Sequence, residues 1–126
     1  MFDATDIIYR YTRADALRDG VLVDVSDFAL EAGFAIPVAI TRAAYDSYIV
    51  PSDSLRSDGQ SAEARLWDTL RILWIKAKHN GGSTVMFSVL FLMNSGAKPE
   101  PIELKALCHP GDNSEPVVTI MCPSED

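Results

Sequence analysis

Residues 84–93 read TVMFSVLFLM. Taken in alternation, Val85, Phe87, Val89 and Phe91 form one set and Met86, Leu90 and Leu92 the other, and both are apolar. A strand with one wet face alternates polar with apolar, whereas a strand apolar on both faces reads as an interior strand covered above and below. Residues 84–93 are therefore expected to be a central strand. On its C-terminal side, residues 102–108 alternate cleanly, with Ile102, Leu104 and Ala106 facing in and Glu103 and Lys105 facing out. Residues 117–122 supply a third apolar run, and the three together predict an antiparallel meander. In that register Cys122 falls beside Glu103, about five residues or ~17 Å along the strand from Cys108. A disulfide spans Cα separations only up to roughly 7 Å, so the two cysteines are expected to be unpaired.

On the N-terminal side of the strand, Ser61 to Lys78 carries Leu66, Leu70, Leu73 and Ala77 on one helical stripe, flanked by Trp67 and Trp74. This is the longest expected helix, and its tryptophans are expected to be buried. Ile72 and Ile75 fall off that stripe, on the side of Arg65 and Asp68, and read either as contacts within a sandwiched layer or as an interface. His79 falls at the end of this helix as its C-terminal cap. Further upstream the elements are short. Ile7 to Tyr11 reads as a strand, and Thr12 as the cap of a helix over 13–19 stopped by Gly20. Residues 21–25 read as a strand and Ser26 as the cap of a helix ended by Gly33. Residues 34–40 read as an edge or bulged strand because of Pro37, and Thr41 as the cap of a helix over 42–50. Residues 51–60 are polar and turn-rich and read as a loop. The expected fold is one α+β domain over residues 1–126. It has a mixed, largely antiparallel sheet, the C-terminal meander, one long packed helix and short N-terminal helices.

Of the 126 residues, 48% are hydrophobic and 23% charged, which is globular composition, and one core suffices for this length. Asp3 and Asp6 stand where a secretory signal would be basic, no apolar run reaches about 18 residues, and cysteine is scarce, so a cytoplasmic protein without membrane contact is expected. The formal charge is −7 and sits at the two ends. Residues 1–31 carry seven acids and three bases (−4), residues 42–78 five and six (+1), and residues 98–126 six and two (−4). Nucleic acid, which demands clustered Lys and Arg, is not an expected partner; a protein partner is, drawn to an acidic surface made where the two ends meet.

The stretch richest in chemical groups is 109–116, with His109, Asp112, Asn113 and Glu115 as candidate binding residues beside Cys108. Pro, Gly, Asp and Asn are also ordinary turn formers, and no zinc spacing is present, so neither a metal nor a cofactor is expected. Cys108 and His109 are adjacent on a strand and point to opposite faces, which argues against a nucleophile and base pair. No catalytic residue is assigned.

The blocks IIYRYTRADALRDGVLVDVS, EAGFAIPVAITRAAY, RLWDTLRILW and LKALCHPGDNSEPVVTIMCPSED together resemble a family of small uncharacterised bacterial proteins, a domain of unknown function often encoded on plasmids, phages and integrative elements. The resemblance implies a bacterial, mobile-element setting and carries over no site residue. Together with the acidic ends, that setting makes an accessory protein-binding module the expected function, and the acidic balance makes DNA mimicry as a counter-defence protein the alternative. A shorter likeness, YRYTRADALRDGVL, is to the opening of ADP-ribosyltransferase-like folds and would implicate Tyr9, Arg10 and Glu115 in NAD chemistry.

Overall fold

In a computed structural model of the chain, residues 11–125 are described. The helices are α1 (Arg13–Arg18), α2 (Ser26–Ala32), α3 (Arg42–Ala44), α4 (Asp53–Ser57) and α5 (Ala62–Lys78), and the strands are β1 (Leu22–Asp24), β2 (Val38–Thr41), β3 (Thr84–Phe91), β4 (Glu100–Pro110) and β5 (Pro116–Met121). The class is α+β, as expected. Among the described residues the strands form a mixed sheet in the order β1-β2-β5-β4-β3, in which only the β2–β5 pair is parallel. The meander β3-β4-β5 is present. The expected strand over residues 7–11 lies almost wholly outside the described residues.

Local signals placed most of the short elements. Thr12 caps α1 through a reciprocal capping box with Asp15. Thr41 accepts from Ala44 N at 3.2 Å and starts α3, which runs into a π-helical stretch, Tyr45–Ile49. Ser61 caps α5, and His79 ends it.

Five expectations are corrected. Ser26 does not cap α2: its hydroxyl donates to Val38 O and accepts from Val38 N, tying the start of α2 to β2, while Asp24 Oδ1 takes the Ser26 N–H. Pro37 does not make β2 an edge, because the proline lies just before the strand and spends no ladder donor; its carbonyl accepts from Val118 N at 2.9 Å. Residues 51–60 are not all loop, since Asp53–Ser57 is helical and buries Leu55. The largest correction concerns β3, which is the terminal strand of the sheet, with Met86 43% and Leu90 64% exposed. The meander register also differs by one residue: Lys105 faces Met121, which places Cys122 beside Leu104 rather than Glu103. Both cysteines are free thiols.

One face of the sheet holds the core. Val38 and Ile40 from β2, Val118 and Ile120 from β5, Leu104 and Ala106 from β4, and Phe87, Val89 and Phe91 from β3 meet Leu66, Leu70 and Leu73 of α5 and Ala29 of α2. Full burial of such side chains stabilises by about 1.5–3 kcal/mol each, so this layer dominates the fold.

Within the layer sits a guanidinium. Arg65 is 3% exposed and lies over the Phe91 ring, 5.0 Å from its centroid. It donates to Tyr48 O at 2.8 Å and to Leu92 O, joining α5 to the end of the π-helical stretch and to the exit of β3. Its Nε has no partner, and burial pulls its pKa down. The planar fork reaches two divergent carbonyls, which a single ammonium cannot copy. Arg65→Lys is expected to lower stability by about 1–3 kcal/mol, seen as a fall in denaturant midpoint at unchanged slope.

Candidate interaction surfaces

The candidate residues of the 109–116 stretch separate in the structure. His109 is on β4, facing outward, and its Nε2 lies 2.8 Å from Thr119 Oγ1. The same hydroxyl takes Arg13 Nη1–H at 2.6 Å, and Arg13 Nη2 donates to Val118 O. Asp112 accepts from the backbone N–H groups of Arg13 (2.8 Å) and Ala14 (3.0 Å), clamping the start of α1 across 99 residues of sequence. Asn113 and Glu115 stay within the turn, where Glu115 accepts from Asn113 N at 3.0 Å. A Cβ on Gly111 would stand 2.4 Å from Glu115 Oε1, so the carboxylate packs directly over the glycine and would have to swing aside for any side chain there. Glu115 is thus a structural clamp, and Tyr9 and Arg10 lie outside the described residues.

His109, Arg13, Thr119 and Asp112 line a cleft of about 480 Å³ between α1 and the outer face of the sheet, with Tyr11, Leu107 and Met121. Burial lowers the Arg13 pKa, opposed by the charges of Asp24, Asp112 and Glu115. The cleft's polar groups already satisfy one another. Cys108 points to the opposite face, into an apolar cavity with Phe34, Leu73 and Val118, which confirms that it and His109 do not meet. Among the described residues no three His, Cys, Asp or Glu side chains converge as a metal site would require.

The two acidic ends do meet, through Asp112 and α1, and several of their carboxylates are bonded there. Asp15 and Asp112 cap α1, Asp19 takes the Tyr11 hydroxyl at 2.9 Å, and Glu125 accepts from Thr41 Oγ1 at 2.8 Å and from Cys122 N at 2.7 Å. Acids tied into caps and turns are not free to join an array, which leaves Asp27, Glu31, Glu100 and Glu103 as the exposed remainder of the two ends among the described residues.

The surface of α2 and α5 is different. Trp67 and Trp74 are half-buried rather than in the core, on the flank of α5 that faces α2. Gly33 explains the seat of Trp74: at φ 118° it ends α2, and a Cβ there would stand 2.7 Å from the indole. Lys78 Nζ lies 4.1 Å from the Trp74 ring centroid and the Arg71 guanidinium 5.9 Å from that of Trp67. Ile75 is 54% exposed and shares a depression of about 300 Å³ with Glu31, Ala32, Trp67, Arg71 and Trp74. A second depression joins Trp67 to Phe28 and Glu63. Of the two isoleucines, Ile75 is therefore on this surface, while Ile72 is half-buried against the core. The sequence flagged Ile75 by its position on the helix but missed its aromatic neighbours, because the Trp67 and Trp74 stripe borders the core stripe and is divided from it only by where α2 lands.

The whole chain, residues 1–126, matches the family described as Family of unknown function (DUF6573), and the chain belongs to that family. No curated protein and no solved structure matches it. No helix among the described residues is long and apolar enough to cross a membrane.

Gly33→Ala is expected to cost about 1–3 kcal/mol from backbone strain alone and, by displacing Trp74, to change tryptophan fluorescence. The Asp15 pKa is lowered first by its bonds to the Thr12 backbone and hydroxyl and then by Arg18. Its capping contribution is therefore complete above the usual carboxylate range near 4 and is lost as pH falls through the depressed value. Amide exchange in α1 is expected to accelerate over that acid range, and Asp15→Asn is expected to abolish the dependence.

Proposed function

We propose that this domain is an accessory protein-binding module, in keeping with the bacterial mobile-element setting its sequence blocks imply, and that it binds through the α2–α5 surface. One observation carries the reading: two tryptophans, an exposed isoleucine and an arginine share one shallow surface beside depressions that an apolar anchor can fill. Tryptophan and arginine are the residue types that dominate binding energy at protein interfaces, and their large faces gain most when a partner removes the remaining water. Arg71 and Lys78 on one side and Glu31 and Glu63 on the other supply a polar rim. A partner helix or loop presenting an apolar anchor flanked by charge suits this surface.

The acidic ends support this function less well, since Asp15, Asp24, Asp112 and Glu125 are engaged in caps and turns. The same engagement disfavours DNA mimicry, which needs carboxylates free at phosphate-like spacing.

The test is capture of a partner from source-cell extract by the wild-type chain, followed by titration of the identified partner against variants. Ile75→Asp and Trp67→Ala are each expected to weaken binding by about 2 kcal/mol or more, roughly 30-fold in Kd, while Asp112→Lys leaves it unchanged. Loss on Asp112→Lys with retention on Ile75→Asp would return the interface to the acidic ends.

A further inference from the structure

Among the described residues β3 ends the sheet, and its eight residues, Thr84–Phe91, include no charge, no proline and no glycine. Edge strands of monomers are usually blunted by lysine, proline, a bulge or shortness, because an open ladder of N–H and C=O groups recruits other strands. β3 carries none of these protections, and among the described residues no strand pairs with its far side. Its outward face adds Met86 and Leu90, 43% and 64% exposed. The two-sided apolar pattern of an interior strand thus stands at an edge.

We propose that a second copy of this chain supplies the missing neighbour, with β3 pairing antiparallel to β3 about a two-fold axis. The strand matches its own image. In a register centred on Ser88, Met86 of each copy faces Leu90 of the other on the outer side of the sheet. On the inner side Phe87 faces Val89 and Val85 faces Phe91. Apolar meets apolar on both faces and no like charges meet, which is the self-complementarity that a two-fold interface demands. The helix layer agrees. At about 100° per residue, Ile72 lies some 150° around α5 from Trp67 and Trp74, which face α2. Since α2 lies toward β2 and α5 over β3, the flank bearing Ile72 is the one nearest the open edge. Pairing therefore extends the core layer as well as the ladder, joining two five-stranded sheets into one. This surface is separate from the α2–α5 face and stands independently of it.

Sedimentation velocity of the full chain over a concentration series is expected to show a species of twice the monomer mass. Met86→Lys with Leu90→Lys, both at exposed positions, is expected to weaken the association at least ten-fold with the circular dichroism unchanged. Directly opposed residues of antiparallel strands have Cα atoms about 4.5–5.5 Å apart, within the range of a disulfide. Ser88→Cys, in a Cys108→Ser and Cys122→Ser background, is therefore expected to form an intermolecular 88–88 link on mild oxidation, mapped by mass spectrometry. Should the lysine pair unfold the chain, this cross-link decides. A monomer at every concentration, a dimer indifferent to both lysines, or a dimer that does not link at 88 would overturn the proposal.

Discussion

The architecture depends on one helix lying across one face of a sheet. α5 presents Leu66, Leu70 and Leu73 to Phe87, Val89, Phe91 and Leu104, and its two flanks then dictate what can sit beside it. On one flank Trp74 closes against Gly33, so the end of α2 is placed by an indole. On the other, Arg65 binds the last carbonyls of the π-helical stretch and of the β3 exit. A buried guanidinium with two neutral acceptors and no carboxylate is an expensive group, since desolvating a charge costs several kcal/mol before any partner is found. Its placement is tolerable because the aromatic face of Phe91 and two carbonyls share the charge.

The polar chemistry of the chain is spent largely on joining distant segments. Asp112 caps a helix that begins 99 residues earlier, Arg13 returns the contact to Thr119 and Val118, and Glu125 fastens the chain end to Thr41. A negative charge at a helix start satisfies free N–H groups and opposes the helix dipole at once, so one carboxylate contributes twice. The consequence for function is subtractive: His109, Asp112 and Glu115, the reactive-looking groups of the 109–116 stretch, are already bonded. The surfaces left available are apolar, on the α2–α5 face and at the β3 edge.

Much was legible in the sequence because it is locally encoded. Thr12, Thr41 and Ser61 mark helix starts by a side-chain acceptor three residues from its donor, Gly33 marks a helix end by a backbone angle other residues resist, and the meander follows from three successive strand-length apolar patterns. The α+β class, the length of α5 and the separation of Cys108 from His109 follow from the same short-range physics. The site was legible in part, in Ile75 and in the turn-forming character of 109–116.

Only the tertiary structure decided which strand is the edge, where the tryptophans sit and what Asp112 and Ser26 bond. Alternation reports how many faces of a strand are apolar, but it carries no information on whether a neighbour lies along its backbone edge, which is how residues 84–93 read as interior and β3 stands at the end. A helical stripe fixes angles around an axis, while the burial of Trp67 and Trp74 depends on how far α2 reaches over them. Side-chain bonds across 12 residues, as from Ser26 to Val38, or across 99, as from Asp112 to Arg13, leave no periodic trace, because their partners are brought together only when the sheet has formed.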